Sequence, residues 1–221
     1  MEFLKSIPVV VIHRKENTDR DIFIETFEKK MGLEIQRIDA MNGEELCKQP
    51  DLPRKHPREP TPTSEGNIGC TFSHVGIYET FLTTKYDYIL VLEDDIELVC
   101  EPSDINDYIE NSFALPEWDL LFLGVNEIVE GTKVEEYPLI SYVQRFWGTH
   151  AVIATRKAAE AIVREFRQSI ASGFALPADW LYSFTIQHQN LVAYSPSDPR
   201  TCVQQKEGLV STCTGKLRLY T

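Results

Sequence analysis

Tyr88-Ile89-Leu90-Val91-Leu92-Glu93-Asp94-Asp95 is the stretch whose reading decides the fold. A short, unbroken apolar run with β-branched and aromatic members reads as a strand buried on both faces. The acidic residues then stand where the strand leaves the sheet, and in open α/β sheets ligands bind outside that carboxyl edge. Side chains alternate along a strand, which puts Glu93 and Asp95 on one face and Asp94 on the other. Adjacent carboxylates repel, and a divalent cation with oxygen ligands is the obvious compensation. The alternative is a strand that simply ends in a solvated acidic turn.

Outward from this stretch the chain alternates strands and helices. Ile7 to Ile12 reads as a first buried strand, with Pro8 near its start, followed by a polar turn from His13 to Arg20. Ile22, Phe23, Phe27 and Met31 recur at helical spacing, and Gly32 ends that helix. Leu33 to Ala40 reads as a second strand with a turn at Asn42-Gly43, so the opening is a βαβ unit. Residues 47–66 carry Pro50, Pro53, Pro57, Pro60 and Pro62 among Lys48, Arg54, Lys55, His56 and Arg58. No regular element holds so many prolines, which leaves a flexible flap beside an anionic ligand or an exposed insertion. Asn67 is expected to cap a helix to about Thr83, with Phe72, Val75, Tyr78 and Leu82 as its core stripe and Gly69, Ser73 and His74 off it. Small residues in the first turns would let an anionic ligand approach the backbone.

Beyond the acidic stretch, Ile96 to Leu98 continues extended and a short helix runs from Ser103 or Asp104 to Phe113. Asp119 to Gly124 repeats the buried-strand pattern, 126–142 reads as a hairpin or loop, and Phe146 to Ala154 carries a Gly148-Thr149 turn into another strand. A helix over 156–168, a second opened by Pro177-Ala178-Asp179-Trp180, and a last strand over 191–194 complete the pattern.

The 221 residues, 43% hydrophobic, suffice for one large domain or two small ones. A net charge of −12 argues against nucleic acid and against electrostatic docking on anionic lipid. Five scattered cysteines without CxxC spacing indicate neither a zinc site nor a disulfide framework, and a reducing compartment is the simpler expectation. No basic leader or bilayer-length apolar run is legible, so the expectation is a cytoplasmic protein without stable membrane insertion.

Several motifs, taken in order, resemble glycosyltransferase family 25, which includes bacterial lipopolysaccharide sugar transferases and the collagen galactosyltransferases. They are the strand and turn from Val9 to Arg20; Asp39-Ala40-Met41-Asn42-Gly43; Gly66-Asn67-Ile68-Gly69-Cys70-Thr71-Phe72-Ser73-His74 upstream of Leu92-Glu93-Asp94-Asp95; Gly148 to Ala161; and Asp179 before a helix. The resemblance covers about residues 7–205. The Ser-His pair followed by Glu-Asp-Asp is its specific part. It departs from the family in a longer proline-rich flap and in His150, where a small or aromatic residue is usual.

The resemblance implies a single α/β domain of GT-A type over 1–221, with a mostly parallel central sheet flanked by helices. Residues 1 to about 100 would form the nucleotide-sugar half and about 101–221 the acceptor half. It implies an inverting glycosyltransferase that moves a sugar from a UDP-sugar to a glycan, lipid-linked or protein hydroxyl with Mn2+ or Mg2+. Glu93 and Asp95 would hold the metal as the DxD motif, Asp95 directly and partly exposed at the sheet edge. His188, Gln204 and the tail near Ser211 are candidates to complete the coordination. Arg20, Asp39, Ala40, Asn67, Gly69, Ser73, His74, Asp94, Gly148 and Thr149 would bind the nucleotide sugar. Asp179 would be the base, with Trp180 offering a flat surface to a sugar ring. Two other readings remain: a metal-dependent nucleotidyl or phosphoryl transferase, and an inactive nucleotide-sugar-binding module.

Overall fold

The computed structural model describes residues 2–207 and Leu209. In chain order the elements are α1 (Glu2–Ser6), β1 (Val9–His13), α2 (Asp21–Met31), β2 (Gln36–Asp39), α3 (Gly43–Cys47), α4 (Glu65–Phe81), β3 (Tyr88–Glu93), β4 (Ile96–Leu98), α5 (Pro102–Phe113) and β5 (Leu120–Gly124). They continue with β6 (Glu127–Val134), β7 (Tyr137–Trp147), β8 (Ala151–Thr155), α6 (Arg156–Ala171), α7 (Ala178–Gln189), β9 (Ala193–Pro196) and β10 (Val203–Gln205). The α/β class with a central sheet flanked by helices is the class observed.

The eight-stranded sheet has the order β2-β1-β3-β8-β5-β9-β7-β6, and β10 and β4 form a separate ribbon. Pairing is parallel for β2-β1-β3 and for β5-β9, and antiparallel around β8, for β7-β9 and for β6-β7. The parallel arrangement expected from the opening βαβ unit thus holds for the first half of the sheet, and the second half is mixed. β8 causes the change, because it enters between β3 and β5 against the direction of both.

Both faces of the central strands are covered, as the apolar run requires. Val10, Ile12, Ile89, Val91, Phe122 and Val152 pack toward α4, α6 and α7. Val9, Val11, Leu90, Leu92, Leu121 and Ile153 pack toward α2 and α5. Strand alternation therefore aims Glu93, two residues after Val91, at the α4 side.

Local capping differs from expectation at α4. Ser64, with extended φ and ψ, is the N-cap, and its hydroxyl accepts the Asn67 N–H at 3.2 Å. Asn67 is the third helical residue instead. The stripe expected on this helix is also too narrow. Ile68, Thr71, Ser73, His74, Ile77 and Phe81 are buried along with Val75 and Tyr78, because α3, α6, α7 and the sheet enclose the helix.

The proline-rich segment is neither a loose flap nor a free insertion. The Lys55 carbonyl accepts the Ala175 N–H at 3.0 Å, and the Thr63 hydroxyl donates to the Ala175 carbonyl at 2.6 Å. His56 is buried against Trp180, and the Arg58 guanidinium lies 5.1 Å over the Trp180 ring. The segment is a strap across the start of α7. Trp180 is consequently packed by His56, Arg58, Trp147 and Phe184. That packing leaves it poorly suited as an open platform for a sugar ring.

Candidate active site

The carboxyl ends of β1 and β3 meet the first turns of α4 around a cleft. Its walls are Arg14 and Arg20 from the β1 turn, Ala40, Met41 and Gly43 from the β2–α3 turn, Gly66, Gly69, Cys70 and Ser73 from α4, and Glu93, Asp94 and Asp95. This is the position at which a parallel sheet edge binds ligands.

The acidic residues are not a solvated turn. Asp94 and Asp95 are 6% and 2% exposed, and Arg20 between them is 5% exposed. The Arg20 guanidinium donates to Asp94 Oδ1 and lies 3.5 Å from Asp95 Oδ2, while His13 Nδ1 is 3.1 Å from Asp94 Oδ2. Arg20 offsets the repulsion that a bare acidic cluster would suffer, so its position here is that of a clamp behind the carboxylates. Asp95 is correspondingly buried where partial exposure was expected. Strand alternation stops at Glu93, since Arg20 reaches both aspartates.

Glu93 and Asp95 nevertheless converge. Gln205 Nε2 lies 3.3 Å from Glu93 Oε2 and 3.5 Å from Asp95 Oδ1, so one amide group reaches both carboxylates. Two carboxylate oxygens within reach of one amide are the donor type that a hard divalent cation takes. Asp94 is the poorer candidate, because Arg20 donates to its Oδ1 and His13 lies 3.1 Å from its Oδ2, whereas Arg20 and Gln205 each stand 3.5 Å from Asp95. His188 pairs with Glu165 at 3.0 Å, and Gln204 reaches Glu97 at 3.5 Å, so neither approaches Glu93. Ser211 lies outside the described residues.

β8 brings the remaining groups. Because it runs antiparallel to β3, its first residues stand beside the last residue of β3, and the Glu93 N–H donates to the His150 carbonyl at 2.9 Å. The Thr149 hydroxyl donates to Glu93 Oε1 at 2.9 Å. Gly148 has φ +86°, and a Cβ there would sit 2.7 Å from the Asn126 side chain, so glycine is required. The Gly148 N–H in turn binds Asp179.

Asp179 is the second residue of α7 and also accepts the Trp180 N–H at 2.9 Å. Desolvation raises its pKa from 3.8 to about 6; the backbone N–H groups of Trp180 and Gly148 pull the other way, and the Glu93 charge adds to the rise. The turn Gly148-Thr149 thus holds Asp179 with one residue and Glu93 with the next.

Other expected binding residues are placed differently. Ala40, Gly69 and Ser73 line the cleft. The Ser73 hydroxyl is already used, donating to the Gly69 carbonyl at 2.7 Å and accepting the Met41 N–H at 2.8 Å. Asp39 is exposed beside Lys15 and, like Asn67, is absent from the cleft wall. His74 is fully buried behind the wall, with Nδ1 3.0 Å from the Tyr182 hydroxyl and Nε2 3.6 Å from Glu93 Oε1. Arg14 and Gln205 were not singled out from the sequence. Arg14 directly follows the strand end that forms the cleft, a usable signal. Gln205 sits in a three-residue strand that no pattern announces.

Residues 6–181 match the family described as glycosyltransferase family 25 (LPS biosynthesis protein). The chain belongs to glycosyltransferase family 25. A family 25 member of Aedes aegypti is 29% identical over 112 residues, covering 46% of this chain and 18% of the relative. One of Anopheles gambiae is 25% identical over 172 residues, covering 71% and 28%. The chain thus spans less than a third of the length of these curated family 25 relatives. Among solved structures, a glycosyltransferase involved in the glycosylation of the major capsid of PBCV-1 aligns with 84% of this chain and 75% of its own, at 11% identity and a TM-score of 0.39. A likeness that slight adds no argument. Among the described residues of this family 25 chain, no helix is long and apolar enough to cross a membrane.

Proposed function

We propose that the chain transfers a glycosyl group from a nucleotide sugar, a UDP-sugar, to a hydroxyl of a glycan, lipid-linked or protein acceptor, with inversion. The observation that carries this reading is the Gly148-Thr149 turn, which couples a half-buried carboxylate with a pKa of about 6 to an acidic strand end beside an arginine-bearing cleft. Asp179, when ionised, takes the proton of the acceptor hydroxyl as its oxygen bonds to the anomeric carbon. The bond from that carbon to the diphosphate breaks in the same step, and the electron pair leaves with the phosphate. Arg14, on the cleft wall, supplies positive charge to that diphosphate. Glu93 and Asp95 would hold Mn2+ or Mg2+, which when bound would neutralise charge on the departing diphosphate. Thr149 orients Glu93, and Gly148 orients Asp179.

Calorimetry of UDP binding with Mn2+, with Mg2+ and with EDTA tests the donor reading. Metal-dependent UDP binding that is lost in Asp95→Ala supports it. Absence of UDP binding under all three conditions would sink it, and unchanged binding in Asp95→Ala would move the metal elsewhere. Because Asp95 is buried against Arg20, this variant should also lose about 1–3 kcal/mol of stability, so it is compared at a temperature where it stays folded. Slow hydrolysis across a panel of UDP-sugars then identifies the donor. UDP bound with no UDP-sugar ever cleaved would mark an inactive binding module.

A further inference from the structure

The structure assigns a second, softer metal site to this chain: Cys70 Sγ, His74 Nε2 and Glu93 Oε1 form a three-ligand site for a zinc-class ion, open to the cleft on its fourth side. The inference stands independently of the transferase reading; it shares Glu93 with the hard-cation pair but uses the other carboxylate oxygen.

The ligand atoms of Cys70, His74 and Glu93 all lie within 4.8 Å of one another. Cys70 and His74 are four residues apart on α4 and so share one helix face. Strand alternation aims Glu93 at that same face from β3. Zinc bonds of about 2.0–2.1 Å to nitrogen and 2.0–2.2 Å to oxygen put two tetrahedral ligands roughly 3.4 Å apart. The His74 Nε2 to Glu93 Oε1 distance of 3.6 Å is already close to that edge.

A second observation points to an occupant. His74 is 0% exposed, and its Nε2 makes no hydrogen bond among the described residues. An orphaned polar atom at that depth is costly unless something binds it. Its other nitrogen is held by Tyr182, which itself bonds to Tyr78. With Nδ1–H donating to the Tyr182 oxygen, Nε2 presents its lone pair toward Glu93. Metal-bound histidines are oriented by just such a contact at the far nitrogen. The Thr149 hydroxyl does the same for Glu93 Oε1.

The two Glu93 oxygens separate the sites. Oε1 faces His74 and Thr149, whereas Oε2 faces Gln205 on the Asp95 side. A sulfur, nitrogen and oxygen set selects zinc-class ions over Mg2+ or Mn2+. Cys70 and Glu93 both line the cleft, so the open position faces whatever binds there. Three protein ligands with one vacant position is the pattern of a reactive zinc centre, not of a closed structural one.

Cobalt(II) titrated into the chelator-treated, full-length protein reads the site directly. One equivalent should produce a thiolate-to-cobalt charge-transfer band and intense visible bands of a tetrahedral ion, both abolished by zinc. Cys70→Ser should remove the charge-transfer band, and His74→Gln should remove the tetrahedral bands. Asp95→Asn and the double variant Cys100→Ser/Cys202→Ser should keep both. Where a variant fails to fold, alkylation of the wild-type protein decides. Zinc at 100 times its Kd should slow modification of Cys70 by about 100-fold while leaving the other reactive cysteines unaffected. Weak octahedral bands alone, a charge-transfer band that survives Cys70→Ser, or Cys70 alkylation indifferent to zinc each overturns the assignment.

Discussion

Asp179 combines two properties that a single substitution separates. Its folded pKa of about 6 lies above the ordinary 3.8 chiefly because burial disfavours its charge. Between these values the folded chain holds a proton that the unfolded chain has released, so stability falls as pH rises through this window and stays reduced above it. Asp179→Asn escapes this penalty and keeps an oxygen for the Gly148 and Trp180 N–H groups. Relative to wild type, its unfolding free energy should therefore gain about 1–3 kcal/mol between pH 4 and pH 7, allowing for partial exposure. Wild-type transfer should rise with pH through about 6, and Asp179→Asn should lose about 10²–10⁴-fold in rate while still binding donor. Denaturant melts across pH beside initial rates check both, and a flat stability difference with near-normal transfer would reduce Asp179 to a structural acceptor in the first turn of α7. At this scale the sequence was partly legible. Glu93, Asp95 and Asp179 could be singled out because carboxylates after an apolar run or before a helix are conspicuous. Arg20's position as a clamp was not, since an arginine in a polar turn carries no mark of the buried pair it will join.

Among elements, α3 and α4 meet through glycines. A Cβ on Gly43 would lie 1.8 Å from the Glu65 carbonyl oxygen, and one on Gly69 would lie 2.6 Å from the Met41 carbonyl oxygen. These are backbone atoms and cannot swing aside. Gly43→Ala should cost about 1–3 kcal/mol or more and push the β2–α3 turn away from the cleft wall. Gly76 is also in α4, but a Cβ there meets nothing within 4 Å. Gly76→Ala should stabilise by about 0.5–1 kcal/mol through helix propensity alone. Urea midpoints of the two variants should move in opposite directions; a shift of the same sign would deny the close contact. The elements themselves were legible wherever periodicity was strong, as in α2 with its Gly32 cap and in β3. The start of α4 was not. Ser64 and Asn67 are both good caps three residues apart, and the choice rests on the strap residue Thr63 being tied to distant Ala175. Nor was the direction of β8 legible, because a short apolar run reads the same forward and backward.

For the whole molecule, β8 makes the first hundred residues and the rest of the chain share one sheet, with its two edges paired to β3 and β5. Unfolding should accordingly be one cooperative transition. The three tryptophans all belong to the second half, at 118, 147 and 180, whereas the backbone signal in circular dichroism reports on both halves. Fluorescence and circular dichroism melts should coincide. Separate midpoints would instead divide the chain near residue 100. The same threading has a consequence for how the protein is born. β3 leaves the ribosome with one edge unpaired, and the strand that covers it follows roughly sixty residues later, about 3–12 s at ordinary rates of synthesis. For that interval the nascent chain carries an apolar strand with open hydrogen-bonding groups, the kind of edge on which chains aggregate and chaperones act. The arrival of β8 closes the edge and, in the same movement, sets Gly148 and Thr149 against Glu93. A half-made chain therefore lacks the turn that holds both Glu93 and Asp179.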